Sequence, residues 1–379
     1  MAIAASAGAQ IIVATSAKLA LTNTDIATLV YQDIGTSYDI NGIVLDVSSG
    51  SIVDGTPDGI YTTGEGVIND AAQSDTNEFI IWLFDGSGDA ISHAVKVARS
   101  GDTLTPTELT WDEDDPGGSN NGFISATTNG NKAVIIRTFG VAGPYFGYNS
   151  VDLITNAVAE MVTQNDGLEG DDVSAMAIAG MDSDDLMAMF SLASDGSLYF
   201  QMVNASVGIS QGTSNDSTIN TAGTYNYPLK RFDDNKAIAL VEISSAMKAL
   251  TVNRSGSSIS SYGTPLTVLG SVAPTVFDIA SSKLIVAKQT DTQEITVSVY
   301  SVTGDTITDD SNSTTLAMVN DNLSSIVGLV VTSSDKGVLV WKEADGFLYG
   351  SVISGFSSVS YDLTHSSGGI PGAILEVTP

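Results

Sequence analysis

Three features of the sequence predict an all-β fold, a seven-bladed β-propeller with four short antiparallel strands per blade. The first is composition: β-branched residues and glycine are dense, whereas helical periodicity is hard to find. The second is a pair of similar segments, "ASDGSLYF" at 193–200 and "EADGFLYG" at 343–350, in which Asp-Gly marks a hairpin turn. The third is a unit that recurs along the whole chain, and such repetition is typical of propellers.

Each recurring unit begins with a polar residue, often followed by lysine, and continues as an apolar strand. The clear copies are "NKAVII" from Asn131, "NKAIAL" from Asn235, "SKLIVA" from Ser282 and "DKGVLV" from Asp335, and weaker copies begin at Asp25, Asn77 and Asp185. The second residues of the seven copies, at positions 26, 78, 132, 186, 236, 283 and 336, are spaced by 47 to 54 residues. The copies fill nearly the whole chain, so we expect one β-propeller domain over residues 1–379.

Each unit has room for four strands. An apolar first strand precedes the polar turn, the second strand follows it, a hairpin leads to the third, and a more polar fourth strand ends the unit, as in "SSVSYDLT" at 357–364. A β-sandwich would not produce seven equal units, and a parallel β-helix has a much shorter repeat. Trp82 and Trp341 lie in second strands and are expected to fill the space between neighbouring blades.

A propeller ring must close, because a free last blade exposes strand edges. Either Gln10–Ala14 or Ala373–Val377 is apolar enough to add the closing strand to the blade that holds the other terminus. The alanine-rich residues 1–20 are expected to be either this closing strand or an anchor.

The composition excludes several function classes. The chain has 44 acidic and 14 basic residues and a net charge of −30, which disfavours nucleic acid and anionic membranes as partners. It has no cysteine, so disulfides, thiolate metal sites and cysteine nucleophiles are excluded. The two histidines, His93 and His365, are too few for a multi-histidine metal centre and are expected to be ordinary surface or strand residues. No apolar window is long enough for membrane insertion, and no basic residue precedes Lys18 as a secretion signal would require.

Long acidic segments at the expected fourth-to-first connections raise the question of calcium. These segments are residues 111–122, 165–172, 213–228 and 308–322. Asp112, Asp114 and Asp115 are the candidate calcium ligands, and Asp182, Asp184 and Asp185 form a second cluster. Neither cluster matches the twelve-residue calcium loop, so we expect solvated loops and no cofactor. A calcium site at Asp112, Asp114 and Asp115 is the alternative.

Two aromatic segments are candidates for ligand binding. "GPYFGY" at 143–148 contains Tyr145 and Tyr148, and "YNYPLKRF" at 225–232 contains Tyr225 and Tyr227. Exposed tyrosines can stack on sugar rings, whereas buried ones would pack between blades, and the sequence leaves both readings open. The arginines are scattered and the sialidase-type motif does not repeat, so we expect no enzymatic activity.

The repeat resembles the degenerate blade repeats of tail-fibre and other virion-surface proteins of marine bacteriophages. Residues 334–364 and 281–308 show this resemblance best, although the chain has only one "Gly-Thr-Pro" strand ending, in "YGTPL" at 262–266. The resemblance implies a non-enzymatic virion surface protein (capsid decoration, fibre or tail appendage) whose partners are other virion proteins and a host-surface glycan. The alternative is a secreted, extracellular carbohydrate-binding or carbohydrate-cleaving propeller of a marine microbe.

Overall fold

The computed structural model is an all-β, seven-bladed β-propeller, as the sequence predicts. The structure describes residues 3–33, 39–62, 66–85, 91–111, 122–139, 145–159, 162–163, 173–192, 196–206, 209–220 and 228–356. Each blade is a small antiparallel sheet, and its first strand lies innermost in the ring. The described residues contain no helix.

The strands are grouped by their position in the blade. The first strands of blades 1 to 7 are Ala17–Asn23, Gly66–Asp75, Gly122–Ala126, Val173–Gly180, Leu229–Asp233, Thr275–Ala280 and Leu323–Val331. The second strands are Ile26–Gln32, Glu78–Asp85, Lys132–Phe139, Asp185–Leu192, Lys236–Ile243, Lys283–Asp291 and Lys336–Glu343. The third strands are Ile40–Asp46, Ile91–Ser100, Tyr145–Asp152, Ser197–Asn204, Ala246–Ser255, Glu294–Thr303 and Phe347–Ser354.

The fourth strands are less regular, because most are broken in two. For blades 1 to 6 they are Val53–Asp54 with Asp58–Tyr61, Thr103–Glu108, Ala157–Val158 with Val162–Thr163, Ser210–Gln211 with Asn215–Asn220, Ser258–Tyr262 with Leu266–Leu269, and Thr306–Ala317. A further short strand, Thr110–Trp111, runs parallel to Ala157–Val158. The prediction that 213–228 and 308–322 are connections is therefore wrong in part: their Ser/Thr-rich residues form outer edge strands, where alternate side chains face solvent.

One backbone hydrogen bond recurs in all seven blades and shows that the units are equivalent. The carbonyl oxygen of the polar residue that opens the repeat, or in blade 4 of the residue just before it, accepts a hydrogen bond from an N–H within one residue of the end of the third strand. The donor–acceptor pairs are Val47–Asp25, Arg99–Asn77, Leu153–Asn131, Ala205–Asp184, Arg254–Asn235, Val302–Ser282 and Gly355–Asp335. The repeat that the sequence predicts, and its second strands to within one residue, are thus confirmed.

The lysine that follows this polar residue also has a structural role. Lys132 Nζ lies 2.7 Å from Asp152 Oδ2, and Lys283 Nζ lies 2.6 Å from Asp310 Oδ2, each within its own blade. Lys336 Nζ instead donates to the carbonyl oxygen of Ser48 at 3.0 Å, which joins blade 7 to blade 1. The lysine at the start of the repeat therefore stabilises the face of the ring on which the turns between first and second strands lie.

The N-terminal segment closes the ring. Ala4–Ala5 and Ala9–Val13 pair antiparallel with Phe347–Ser354 and form the fourth strand of blade 7. Ser6 Oγ accepts a hydrogen bond from the Val352 N–H at 3.0 Å and so reinforces this pairing. The other candidate for closure, Ala373–Val377, and the predicted fourth strand at 357–364 lie outside the described residues.

The apolar core lies between neighbouring blades. Trp82 of blade 2 and Trp341 of blade 7 are both fully buried in these interfaces, as predicted. A Cβ atom at Gly122 of blade 3 would lie 2.1 Å from the Trp82 ring, so only glycine admits the ring there. The large rings thus fill the space between neighbouring sheets.

Candidate functional site

The central channel forms a cavity of about 1060 Å³, lined by residues of the first strands. In each blade, one residue at the innermost strand pairs with the fifth residue of the second strand, and another pairs with the third. Residues with the same pairing lie at the same height along the channel in all seven blades. We call these positions the upper rung and the lower rung. The upper rung is Lys18, Asp70, Phe123, Ala177, Pro228, Val276 and Gly328; the lower rung is Ala20, Ala72, Ser125, Ala179, Lys230, Asp278 and Val330.

The polar rung residues mostly bind the neighbouring blade. Asp70 Oδ2 accepts the N–H of Ile124 at 3.1 Å, and Asp278 Oδ2 accepts the N–H of Val331 at 2.7 Å. Ser125 Oγ accepts the N–H of Gly180 at 3.0 Å in the same way. These acceptors satisfy inner-strand N–H groups that no strand partner reaches, so they hold consecutive first strands together.

The two carboxylates of the rungs, Asp70 and Asp278, differ in their electrostatic surroundings. Burial in the channel wall raises the pKa of Asp70, although the nearby Lys18 ammonium and the hydrogen bond from Ile124 oppose this shift. Asp278 Oδ1 lies 3.7 Å from Lys230 Nζ and so has a cationic partner. Asp70 and Asp278 are the carboxylates that would have to serve as a catalytic acid and base in the channel. Both are already bound to the scaffold.

Glu343 is a fully buried carboxylate outside the channel, at the end of the second strand of blade 7. Its two oxygens accept the N–H groups of Val319, Asn320 and Asp321 at 2.7–2.8 Å, and Oε1 also accepts the Trp341 indole N–H at 3.1 Å. Four donors on one carboxylate anchor the connection between blades 6 and 7. The sequence analysis did not identify Glu343, because the sequence around a single strand glutamate does not show which N–H groups it will bind.

Asp345, in the predicted hairpin turn, is a turn-stabilising residue. Gly346 has a φ of 88°, as the Asp-Gly signal predicts. Asp345 accepts hydrogen bonds from Asn320, from the Tyr349 hydroxyl at 2.7 Å and from the Phe347 N–H. Burial opposes ionisation of Asp345, but these hydrogen bonds outweigh it and lower its pKa. Burial, together with the bond to Asp345, raises the pKa of Tyr349 to about 12.

The tyrosines proposed to bind a ligand are not assembled into a site among the described residues. Tyr148 is fully buried, and its hydroxyl donates to Gln201 Oε1 of blade 4 at 2.6 Å. Of the two interpretations that the sequence leaves open, packing between blades therefore holds for Tyr148, whose side chain lies in the core between blades 3 and 4. Tyr145 opens the third strand of blade 3, but its side chain, Tyr225 and Tyr227 lie outside the described residues.

The two acidic clusters have different outcomes. Asp112, Asp114 and Asp115 lie outside the described residues. In the second cluster, Asp182 and Asp185 both bind the Arg254 guanidinium of blade 5, and Asp185 does so at 2.7 Å. Among the residues that the structure describes, no group of three or more His, Cys, Asp or Glu side chains is arranged to hold a metal ion.

His93 takes part in a hydrogen-bonded chain between blades 1 and 2. Its Nε2 lies 2.7 Å from the Tyr61 hydroxyl, and its Nδ1 lies 2.5 Å from Glu108 Oε1. The Tyr61 and His93 rings are also in contact, with centroids 4.8 Å apart. Because Tyr61 and Glu108 belong to the outer strands of different blades, this chain links the rim of the ring. The other histidine, His365, lies outside the described residues.

Comparison with known proteins gives likeness in fold alone. No family model matches the chain, and no curated protein matches it in sequence. The lectin BP39L from Burkholderia pseudomallei superposes with a TM-score of 0.61 at 12% identity, with 91% of this chain and 99% of the lectin covered. The chain is a β-propeller by this comparison also. In the part of the chain that the structure describes, this propeller contains no helix long and apolar enough to cross a bilayer.

Two further propellers have lower similarity. An ulvan lyase from a polysaccharide lyase family has a TM-score of 0.52 at 9% identity over 90% of this chain and 95% of that chain. The propeller domain of the Trilobed protease from Pyrococcus furiosus has a TM-score of 0.50 at 10% identity over 88% of this chain and 93% of that domain. The latter is described as having an open velcro topology, whereas in this chain the N-terminal strands complete blade 7.

Proposed function

We propose that this β-propeller is a non-enzymatic surface protein of a virion, which displays a rigid, acidic ring for structure or host attachment. The observation that carries the proposal is the use of buried charge. Glu343, Asp70, Asp278 and the Asp182–Arg254 pair all bind neighbouring backbone or blades. Buried and half-buried charged groups that bind the scaffold in this way stabilise one arrangement of the ring rather than a reacting substrate.

The channel chemistry supports the non-enzymatic part of this proposal. Hydrolysis of a glycosidic bond uses two carboxylates, one protonated and one ionised, that both face the substrate. Asp70 and Asp278 each accept an N–H from the next blade, and Asp278 is also paired with Lys230. A carboxylate that moved to act on a substrate would leave that N–H unsatisfied, which costs about 1–3 kcal/mol.

The exterior location is supported by composition and closure. A net charge of −30 keeps particles apart in solution, and a ring closed by backbone pairing resists unfolding without any cysteine. These features suit a protein that must survive outside a cell.

Mass spectrometry of density-gradient-purified particles from the source culture tests this proposal. We expect the chain to band with capsid proteins at a fixed ratio, and the ratio distinguishes capsid-wide decoration from a tail appendage. Particles washed in high salt are the control for adsorbed protein. If the chain is absent from particles and free in the medium, the virion proposal fails, and the alternative becomes a secreted glycan-binding or glycan-cleaving propeller, the fold that a lectin and an ulvan lyase share.

A further inference from the structure

The central channel is electrically balanced, unlike the rest of the protein. Of the fourteen rung residues, only Lys18, Asp70, Lys230 and Asp278 carry charge, two of each sign. The whole chain, by contrast, has 14 basic and 44 acidic residues. An anion therefore meets less repulsion in the channel than at an average position on this protein.

Lys18 is the charged rung residue that the described structure leaves without a direct partner. Lys230 is paired with Asp278, and both carboxylates accept main-chain N–H groups. Among the described residues, no hydrogen-bond acceptor or carboxylate lies within bonding distance of Lys18 Nζ; Asp70 acts on it only through its charge. An ammonium has three donors, and in a confined channel they need water or a ligand.

The channel also has space beside Lys18. On the lower rung its neighbours are Ala20 and Ala72, whose side chains end at Cβ. These small residues leave the cavity of about 1060 Å³ open, which is within the range that small-molecule sites occupy.

We propose that the central channel binds a small oxyanion, of the carboxylate or phosphate class, on the Lys18 ammonium. A compact ammonium with rotatable donors suits such an anion as a point charge. The Asp70 carboxylate on the neighbouring blade opposes the anion and limits its affinity. Removal of the positive charge and removal of the negative charge must therefore have opposite effects on binding.

Titration with sodium phosphate and with sodium acetate, each at constant ionic strength against chloride, tests the site. Binding is followed by calorimetry and by amide chemical shifts of the rung residues. We expect saturable binding with shifts centred on blades 1 and 2, weaker by about tenfold or more in Lys18→Gln and severalfold tighter in Asp70→Asn. Asparagine keeps an oxygen that can accept the Ile124 N–H, so this variant should fold.

Lys248→Gln is the matched control. Lys248 lies in the third strand of blade 5, outside the channel lining, and its substitution removes the same charge. Equal weakening in Lys248→Gln and Lys18→Gln would reduce the effect to net charge and overturn the site, as would an absence of saturable binding in the unmodified protein. If Lys18→Gln does not fold, the Asp70→Asn variant is sufficient as a test: unchanged or weaker anion binding in that variant overturns the proposed site. None of these results depends on whether the protein belongs to a virion.

Discussion

Arg254, on the third strand of blade 5, donates from Nη1 to Asp185 Oδ2 of blade 4 at 2.7 Å, across 69 residues of sequence. The same guanidinium binds Asp182 through Nη2 and the Asp234 carbonyl oxygen through Nε at 2.6 Å. Its side chain is only 5% exposed. One residue thus joins the turns of two neighbouring blades.

Arg254→Ala should lower the free energy of unfolding by about 3–5 kcal/mol, because it leaves two partly buried carboxylates without their cation. Arg254→Lys should recover only part of the loss, since an ammonium lacks the planar fork. Urea denaturation followed by fluorescence measures both. Arg231→Ala is the control, because Arg231 pairs with the exposed Asp234 and should cost less than about 1 kcal/mol. Equal losses in the two alanine variants would contradict this account.

Substitution of Glu343 should loosen the connection between blades 6 and 7. Glu343→Gln keeps the size of the side chain but turns an NH₂ group toward N–H donors, so we expect a loss of about 1–3 kcal/mol. Hydrogen exchange at the amides of Val319, Asn320 and Asp321 should accelerate at the same time. The exposed Glu294 supplies the control Glu294→Gln, and unchanged exchange in Glu343→Gln would show that the carboxylate does not hold this connection.

The Tyr61–His93–Glu108 chain should couple blades 1 and 2 energetically. Tyr61→Phe removes the hydroxyl that lies 2.7 Å from His93 and little else. In a double-mutant cycle with His93→Phe, we expect a coupling of about 0.5–3 kcal/mol between the two positions. Strict additivity of the two single substitutions would mean that the hydrogen bond contributes nothing to stability.

Acid should destabilise the ring between about pH 4 and pH 2. The hydrogen bond from Lys132, reinforced by the Thr155 N–H, lowers the pKa of Asp152 from 3.8 to about 2. At Asp310, burial opposes ionisation, but Lys283 and Ser301 outweigh it and lower the pKa. A carboxylate whose folded pKa is depressed contributes stability that is complete above its unfolded pKa and is lost as pH falls through its folded pKa.

Asp152→Asn should therefore flatten the dependence of unfolding free energy on pH in this window. The measurement is a series of denaturation curves at pH steps from about 5 to about 2, a range that spans the unfolded and folded pKa values of Asp152. The exposed Asp54 offers the matched control Asp54→Asn. A parallel curve for Asp152→Asn and the unmodified protein would rule out a contribution from the Lys132–Asp152 pair.

Deletion of residues 2–13 should open the ring. It removes the strands that pair with Phe347–Ser354 and leaves that edge exposed, so we expect faster proteolysis of blade 7 and self-association. Limited proteolysis and size-exclusion chromatography at several concentrations report both effects. A monomer as resistant as the full chain would show that closure by this segment adds no stability.

The blades could be predicted from sequence, because each blade is a local unit. Spacing alone located the second strands that begin at Ile26, Glu78 and Lys236. Contacts between blades could not be predicted in this way. Arg254 binds Asp185 and His93 binds Tyr61, each on a neighbouring blade, and strand alternation did not reveal that Tyr148 faces a neighbour rather than solvent. The use of Ala9–Val13 as a closing strand likewise depends on which edge of blade 7 is free.

The pairing of Ala4 with Ser354 has a consequence for biosynthesis. The Ala4–Ala5 strand leaves the ribosome long before its partner, because about 350 residues separate Ala4 from Ser354. At roughly 5–20 residues per second, the wait lasts on the order of tens of seconds. During that interval the N-terminal strand of one nascent chain is free to pair with the last blade of another on the same polysome. Copies joined by exchanged N-termini are thus the characteristic side product to look for when the protein is made at high concentration.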